Sequence, residues 1–160
     1  KTISSEAFMN CIRLQKAKLP KTMKTVGKSC FKNCKSMKKF SIGTVKKSKK
    51  GGLTLAEDAN VKYGATPVSI SIAASALENC VNLKQVIINS QVRKIGDAAF
   101  KQCKKLSAII VYSLILKTVG QKALTGVHNC KISVPTKKVK PYTVLFKNKG
   151  QGKKVVVAKM

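Results

Sequence analysis

Residues Ile95–Val111 read I-G-D-A-A-F-K-Q-C-K-K-L-S-A-I-I-V, and their spacing decides the fold. The apolar side chains begin at spacings of three to five residues and end at a spacing of two, which predicts a turning segment that runs into a short strand at its end. These apolar positions are Ile95, Phe100, Cys103, Leu106, Ile109 and Val111. A unit this short cannot bury its own apolar face, so copies of it must lie on either side.

The same unit recurs along the chain with a period of 23 residues. Its closing strand pair returns at six successive steps, as Ala17/Leu19, Phe40/Ile42, Tyr63/Ala65, Val86/Ile88, Ile109/Val111, Ile132/Val134 and Val155/Val157. Three further apolar positions recur as Phe8, Phe31 and Phe100; as Cys11, Cys34, Cys80 and Cys103; and as Leu14, Leu83 and Leu106. We therefore predict a solenoid whose coils each add one parallel strand, about 4.8 Å from the next, and whose equivalent side chains stack as structural ladders in the core. We expect the return path of each coil to contain a turn of helix.

One coil departs from this pattern. Thr54, Glu57 and Asn60 replace its Phe, Cys and Leu, and the lysine-rich stretch T-V-K-K-S-K-K-G-G begins at Thr44. We expect residues 44–60 to form a degenerate coil with a solvated loop. Because Tyr63 and Ala65 return on register, we expect its strand to survive, for about seven strands in all.

The last part of the chain has a different pattern. Val139, Tyr142, Leu145 and Phe146 fit one face of a helix, and a strand follows at Val155–Val157. Solenoids need such an element to cover their last apolar face. We therefore expect residues 1–160 to form one domain, with repeats in 1–135 and a C-terminal cap in 136–160. The chain enters in the middle of a coil, so we also expect it to be a piece of a longer protein.

The composition limits the classes of function. Hydrophobic residues make up 44% of the chain, which excludes a disordered polypeptide, and no apolar stretch is long enough to predict a transmembrane helix. The net charge is +28, and 31 of the 33 cationic side chains are lysines. Such a charge attracts polyanions. The scarcity of arginine argues against specific nucleic-acid recognition, because arginine is the usual partner of guanine and phosphate.

Two phrases resemble a known repeat family. These are A-F-M-N-C-I-R-L from Ala7, and I-G-D-A-A-F-K-Q-C-K-K-L from Ile95. They resemble the BspA-like leucine-rich repeats, and residues 134–154 are similar to the C-termini of such proteins from gut Gram-positive bacteria. The resemblance implies a right-handed α/β leucine-rich-repeat solenoid in a secreted or cell-surface protein, in some cases an adhesin for a host or microbial macromolecule. It implies no catalytic residue and no single ligand.

No arrangement of side chains predicts catalysis, a metal or a cofactor. His128 is the only histidine, and the five carboxylates do not pair at any signature spacing. Four of the six cysteines share one ladder position, where reduced thiols pack as small hydrophobes. A disulfide or a zinc site is the less favoured alternative, since stacked cysteines have parallel side-chain vectors. We therefore predict a protein that is not an enzyme.

The candidate binding site is the outward, concave side of the strands, which we call the sheet face. Outward positions alternate with the core positions along each strand. Their alignment predicts an apolar cluster of Ile87, Ile110 and Tyr112 in the middle of the sheet, between lysine-bearing strands. Lys39 and Lys62 are the candidate cationic residues of the same face. Apolar side chains rimmed by charge favour a partner-binding patch for a protein or a glycan. Two alternatives remain, namely a polyanion-binding protein that acts through charge (teichoic acid, acidic glycan or nucleic acid) and a spacer that supports an upstream domain.

Overall fold

The computed structural model describes residues 1–43 and 69–160 in full, and residues 45–47 and 53–55 as backbone strands. Two parallel sheets account for most of the regular structure. The six-stranded sheet contains β2 (Lys16–Leu19), β4 (Lys39–Ile42), β8 (Gln85–Ile88), β10 (Ala108–Val111), β12 (Asn129–Val134) and β13 (Lys154–Lys159). The five-stranded sheet contains β1 (Thr2–Ile3), β3 (Thr25–Val26), β7 (Ile70–Ile72), β9 (Val92–Ile95) and β11 (Thr118–Val119). Five coils therefore supply one strand to each sheet, and β13 is the sixth strand of the larger sheet. The coils are numbered along the chain, so that the coils of β2 and β4 are the first and second, the degenerate coil is the third, and the coil of β8 is the fourth.

Paired residues on neighbouring strands of the six-stranded sheet are 23 positions apart for most strand pairs, as the sequence period predicts. Ile109 pairs with Val86 on one side and with Ile132 on the other, and Ala17 pairs with Phe40. The inward side chains of β4, β8, β10 and β12 are buried. The prediction of a solenoid built on parallel strands is confirmed.

The larger parallel sheet of the described residues has six strands, close to the seven or so that were expected. β4 pairs directly with β8, with Phe40 opposite Val86, and β3 pairs directly with β7, with Val26 opposite Ile72. The paired residues are 46 positions apart in both cases, which is two periods, and among the described residues neither sheet has a strand between the paired strands. The expected strand at Tyr63 and Ala65 lies outside the described residues. Within the expected loop, β5 (Val45–Lys47) and β6 (Leu53–Leu55) pair as antiparallel strands.

The return path is not helical, and that expectation was wrong. Each of the five described coils with a strand in both sheets has two left-handed residues four positions apart, such as Ser29 (φ 54°) and Asn33 (φ 61°), and such residues interrupt a helix. The backbone between them bonds to the next coil as well as within the turn: the amide of Phe31 donates to the carbonyl of Ala76 at 2.8 Å, and the amide of Lys32 donates to the carbonyl of Ser29 at 3.0 Å. The second sheet and these turns therefore replace the expected helix.

Close approach of adjacent coils explains the small residue after each short strand of the second sheet. A Cβ added to Gly96 would lie 2.5 Å from the backbone nitrogen of Ala74, closer than real Cβ atoms come. The equivalent positions in the other coils are Ser4, Gly27, Ala73 and Gly120. The step from Ile95 to Gly96 is therefore a packing requirement between coils.

The C-terminal cap consists of a 3-10 turn (Thr136–Lys138), the helix α1 (Val139–Phe146) and β13. Tyr142 and Phe146 of α1 are buried. The Tyr142 hydroxyl donates to the carbonyl of Ser113 at 2.9 Å and accepts from the amide of Leu116 at 3.1 Å. The helix-plus-strand cap is confirmed, but Ile132 pairs with Val157 and not with Val155. The last step is therefore 25 residues.

Candidate binding face

Three of the five predicted site residues lie together at the centre of the sheet face. Ile87 and Ile110 are register partners on β8 and β10, and the amide of Tyr112 donates to the carbonyl of Ile88 at 2.9 Å. The neighbouring outward positions on the flanking strands are Ser41 and Ser133. The cluster thus has polar neighbours on both sides along the sheet.

The accessible apolar area is smaller than the alignment alone indicates. Ile87 is only 8% exposed, whereas Ile110 and Tyr112 are half-buried. Burial also raises the pKa of the Tyr112 hydroxyl, so this group stays protonated at neutral pH. A partner on this face would therefore contact Ile110 and Tyr112 more than Ile87.

The lysines of the sheet face are arranged differently from the prediction. Lys39 is exposed and lies between Lys16 and Gln85 in the register. Lys62, predicted on the next strand, lies outside the described residues, and Gln85 of β8 is the neighbour of Lys39 instead. On the other side of the cluster, exposed Lys131 lies next to Ala108. Lys39 and Lys131 are therefore the described cations nearest in register to the two isoleucines on the central strands.

Asn89 and Gly43, which the sequence did not single out, shape the end of the face. Asn89 follows β8 and is only 4% exposed, and its Oδ1 accepts a hydrogen bond from the amide of Gln91 at 3.1 Å. Gly43 follows β4 with φ 87°, and a Cβ there would lie 3.2 Å from the Cβ of Asn89. A larger residue at either position would change the turn beside Tyr112.

The cysteine ladder holds free thiols that bond between coils. Sγ of Cys34 donates to the carbonyl of Phe8, Sγ of Cys80 to that of Phe31, and Sγ of Cys103 to that of Leu77, at 3.1, 3.1 and 3.2 Å. All six cysteines of the chain are free, and Cys11 is half-buried while the other five are buried.

These thiols are poor nucleophiles. Burial, the largest cause, raises the pKa of Cys34 to about 11 and that of Cys80 to about 12, and it raises the pKa of Cys103 well above its usual value. A thiol with such a pKa holds its proton at neutral pH and cannot attack or ligate readily. Within residues 1–43 and 69–160, no three His, Cys, Asp or Glu side chains are grouped to hold a metal ion.

The aromatic and leucine ladders are less buried in the first coil than in the later described coils. Phe8 stacks on Phe31 with ring centroids 5.2 Å apart, yet Phe8 is 42% exposed and Phe31 is 2% exposed. Leu14 is half-buried in the same way. The equivalent residues of the later coils are buried, namely Phe100, Leu83 and Leu106.

Two polar ladders escaped the sequence reasoning. The amide of Asn33 donates to Oδ1 of Asn10 at 2.8 Å, and that of Asn79 donates to Oδ1 of Asn33 at 2.9 Å. In the sequence, the recurring dipeptide Asn-Cys was the available signal for this asparagine ladder. In the position before this asparagine, Glu78 binds the ammonium groups of Lys32 and Lys101, each at 3.1 Å.

A profile of the family described as "BspA type Leucine rich repeat region" matches six copies over residues 1–52 and 70–159. The chain belongs to the BspA-type leucine-rich repeat family. The match omits residues 53–69, which include residues 53–60 of the degenerate coil, and its six copies equal the six strands of the larger sheet. Repeats of this family suggest a protein-binding module and are typically non-enzymatic. Among curated proteins, none is significantly similar in sequence.

Two crystal structures share the fold. A leucine-rich repeat protein of T. pallidum is 15% identical with a TM-score of 0.59, and it aligns with 99% of this chain. A leucine-rich cell surface protein of Faecalibacterium prausnitzii A2-165 is 18% identical with a TM-score of 0.56, over 100% of this chain. The BspA-type chain spans 66% of the first protein and 39% of the second. Such identities establish a shared fold alone.

None of the helices in the described residues is long and apolar enough to cross a membrane.

Proposed function

We propose that this BspA-type chain is a non-enzymatic binding module, secreted or displayed on a cell surface, that engages a host or microbial macromolecule through its sheet face. The observation that supports the proposal most is the juxtaposition of Ile110 and Tyr112 with Ile87 at the centre of that face. Half-buried apolar side chains in the middle of a polar surface are typical of recognition sites. The ligand is a protein or a glycan.

The arrangement around the cluster is consistent with this role. A productive interface places an aromatic or aliphatic anchor at its centre and polar groups at its edge. Here Ser41 and Ser133 flank the isoleucines, and exposed Lys39 and Lys131 lie one outward position away along β4 and β12. The chemistry of the remaining groups favours binding over catalysis, because the buried thiols hold their protons.

The test measures binding of the purified chain to an array of extracellular-matrix proteins and of neutral glycans, at 0.15 M salt. The variants are Ile110→Glu and Tyr112→Ala. The matched control is Val144→Glu on α1 of the C-terminal cap, an apolar side chain that is 72% exposed. Thermal unfolding of all three variants checks that the fold is intact.

We expect saturable binding to at least one probe, with a tenfold or greater loss of affinity in both sheet-face variants, because central anchors contribute about 1.4 kcal/mol or more each. Val144→Glu should bind like the parent chain. Equal losses in all three variants would contradict a site on the sheet face. The absence of saturable binding to every probe would favour the spacer alternative.

A further inference from the structure

A second surface of the chain carries a row of cations that the sheet-face site does not use. In each coil, a short segment leads from the cysteine turn to the next strand of the six-stranded sheet. We call the cationic side chains of these segments the pre-strand rim. Its six members are all exposed and are Arg13, Lys35, Lys38, Lys84, Lys104 and Lys105.

The backbone holds the rim in a fixed row along the solenoid. The amide of Lys84 donates to the carbonyl of Lys38 at 2.9 Å, and the amide of Lys105 donates to the carbonyl of Val81 at 3.3 Å. Adjacent coils are therefore bonded at the rim itself. With a strand spacing of about 4.8 Å, the three steps from the coil of Arg13 to the coil of Lys104 and Lys105 cover about 14 Å. The rim thus presents one or two cations per coil at a regular interval.

The described carboxylates lie elsewhere. Glu6, Glu78 and Asp97 are in the turns that precede the cysteines, where Glu78 binds two lysines and Oδ1 of Asp97 accepts a hydrogen bond from the amide of Gln121 at 2.7 Å. In the described part of the chain, no rim segment contains an acidic residue. A row of like charges without compensating acids creates a positive potential along one line of the surface.

We propose that the pre-strand rim binds an extended acidic polysaccharide that carries sulfate or carboxylate groups along its length. The charges of such a polymer can follow the coil-to-coil spacing of the lysines, whose flexible stems adapt to uneven spacing. A nucleic acid fits less well, because single strands are held by stacking of bases on aromatic side chains. Phe31, Phe40 and Phe100 are buried in the core, and no rim segment contains an aromatic residue.

The experiment compares two quadruple variants that lose the same charge. The rim variant combines Lys38→Gln, Lys84→Gln, Lys104→Gln and Lys105→Gln. The control variant changes four exposed cations outside the rim, as Lys24→Gln, Arg93→Gln, Lys94→Gln and Lys117→Gln. The probes are a heparin octasaccharide, an oligogalacturonate and a single-stranded DNA of equal charge, titrated at several salt concentrations.

The parent chain should bind at least one of the two acidic oligosaccharides saturably and more tightly than the DNA. Each lost contact lowers the slope of log affinity against log salt by about 0.7, so four contacts reduce affinity on the order of 100- to 1000-fold at 0.1 M salt. The control variant should lose far less. If the rim variant does not fold, the single change Lys84→Glu tests the same site and should weaken binding at least tenfold.

Three results would overturn the proposal: equal losses in the two quadruple variants, tighter binding of DNA than of both oligosaccharides, or no saturable binding of either oligosaccharide at 50 mM salt. Whether heparin or oligogalacturonate binds more tightly identifies sulfate or carboxylate as the preferred group. Ile110→Glu leaves the rim unchanged, so this variant separates a failure of the rim from a failure of the sheet-face function. It should bind the acidic oligosaccharide like the parent chain.

Discussion

The two stacked phenylalanines of the first and second coils allow the ladder to be tested with the same substitution at two levels of burial. Phe31 is 2% exposed and contacts two rings, Phe8 at 5.2 Å and Phe40 at 5.7 Å between centroids. Phe8 is 42% exposed, and its ring stacks on Phe31. Phe31→Ala should therefore destabilise the chain much more than Phe8→Ala.

The expected magnitudes follow from burial and ring contacts. Truncation of a fully buried Phe costs about 3–5 kcal/mol, so we expect about 4 kcal/mol for Phe31→Ala. Burial of a whole Phe side chain contributes about 1.5–3 kcal/mol and a ring pair about 0.5–1.5 kcal/mol, so the half-exposed Phe8 should lose about 2 kcal/mol. The double variant should show a coupling of about 1 kcal/mol between the two rings.

Urea unfolding followed by circular dichroism measures these free energies, with an unchanged m-value as the sign that the unfolded states are comparable. An equal or greater loss for Phe8→Ala would refute the stacking of the first coil on the second as described. Additive losses in the double variant would show that the two rings do not contact each other in solution.

Three further predictions concern a tyrosine hydroxyl, an ion-paired carboxylate and the cysteine thiols. Tyr142→Phe removes a hydroxyl that bonds to Ser113 and Leu116, and thermal or urea unfolding should show a loss of about 1–3 kcal/mol because these backbone partners stay buried. Burial of Glu78 opposes its ionisation, but hydrogen bonds from Ser75 and its two lysine partners outweigh that effect and lower its pKa. Glu78→Gln should therefore lower the free energy of unfolding by about 1 kcal/mol at pH 7. This difference between the variant and the parent chain should vanish as the pH falls through the lowered pKa of Glu78 in the native state. A loss that is constant with pH would contradict the ion pair. The buried thiols have raised pKa values in the native chain, so the cysteines of the unfolded chain ionise first and the free energy of unfolding should fall as the pH rises above about 9. The buried thiols of the native chain should also resist alkylation at pH 8. Rapid labelling of all six cysteines would contradict their burial.

The strand positions and the core ladders could be predicted from the sequence, because a core position must recur whenever a coil stacks on its neighbour. The turns were harder to predict. Alanine and phenylalanine at these spacings suit a helical turn as well as a left-handed turn that bonds to the next coil. Asn10, Asn33 and Asn79 were the available signal, since asparagine tolerates the left-handed conformation better than most residues.

The pairing of β4 with β8 shows why a period alone cannot count strands. Strands that are two periods apart in the sequence can pair without changing the register of any later strand, because both keep the same phase. Phe40 therefore meets Val86 with the alternation of inward and outward residues preserved. This pairing brought Gln85, and not Lys62, next to Lys39 on the sheet face.

The outward positions of Ile87 and Ile110 could be predicted from the sequence, but the exposure of their side chains could not. Alternation along β8 and β10 assigns Ile87 and Ile110 to the outward face. How much of each side chain stays accessible depends on the side chains around it, which the alignment of repeats does not contain. The lysines of the pre-strand rim can be read from the sequence. That the carboxylates lie in a different part of each coil follows only from the structure.

Direct bonding of the second coil to the fourth determines which residues share the sheet face, and it can be observed bond by bond. The amide of Lys84 donates to the carbonyl of Lys38 at 2.9 Å, and that of Lys38 donates to Gln15 at 2.8 Å. Scalar couplings across hydrogen bonds, measured by NMR on the isotopically labelled chain, should connect the Lys84 nitrogen to the Lys38 carbonyl carbon, with the pair of Lys38 and Gln15 as a positive control. A coupling from Lys84 to the carbonyl of Val61, one 23-residue step earlier, would contradict the six-stranded sheet and the face built on it.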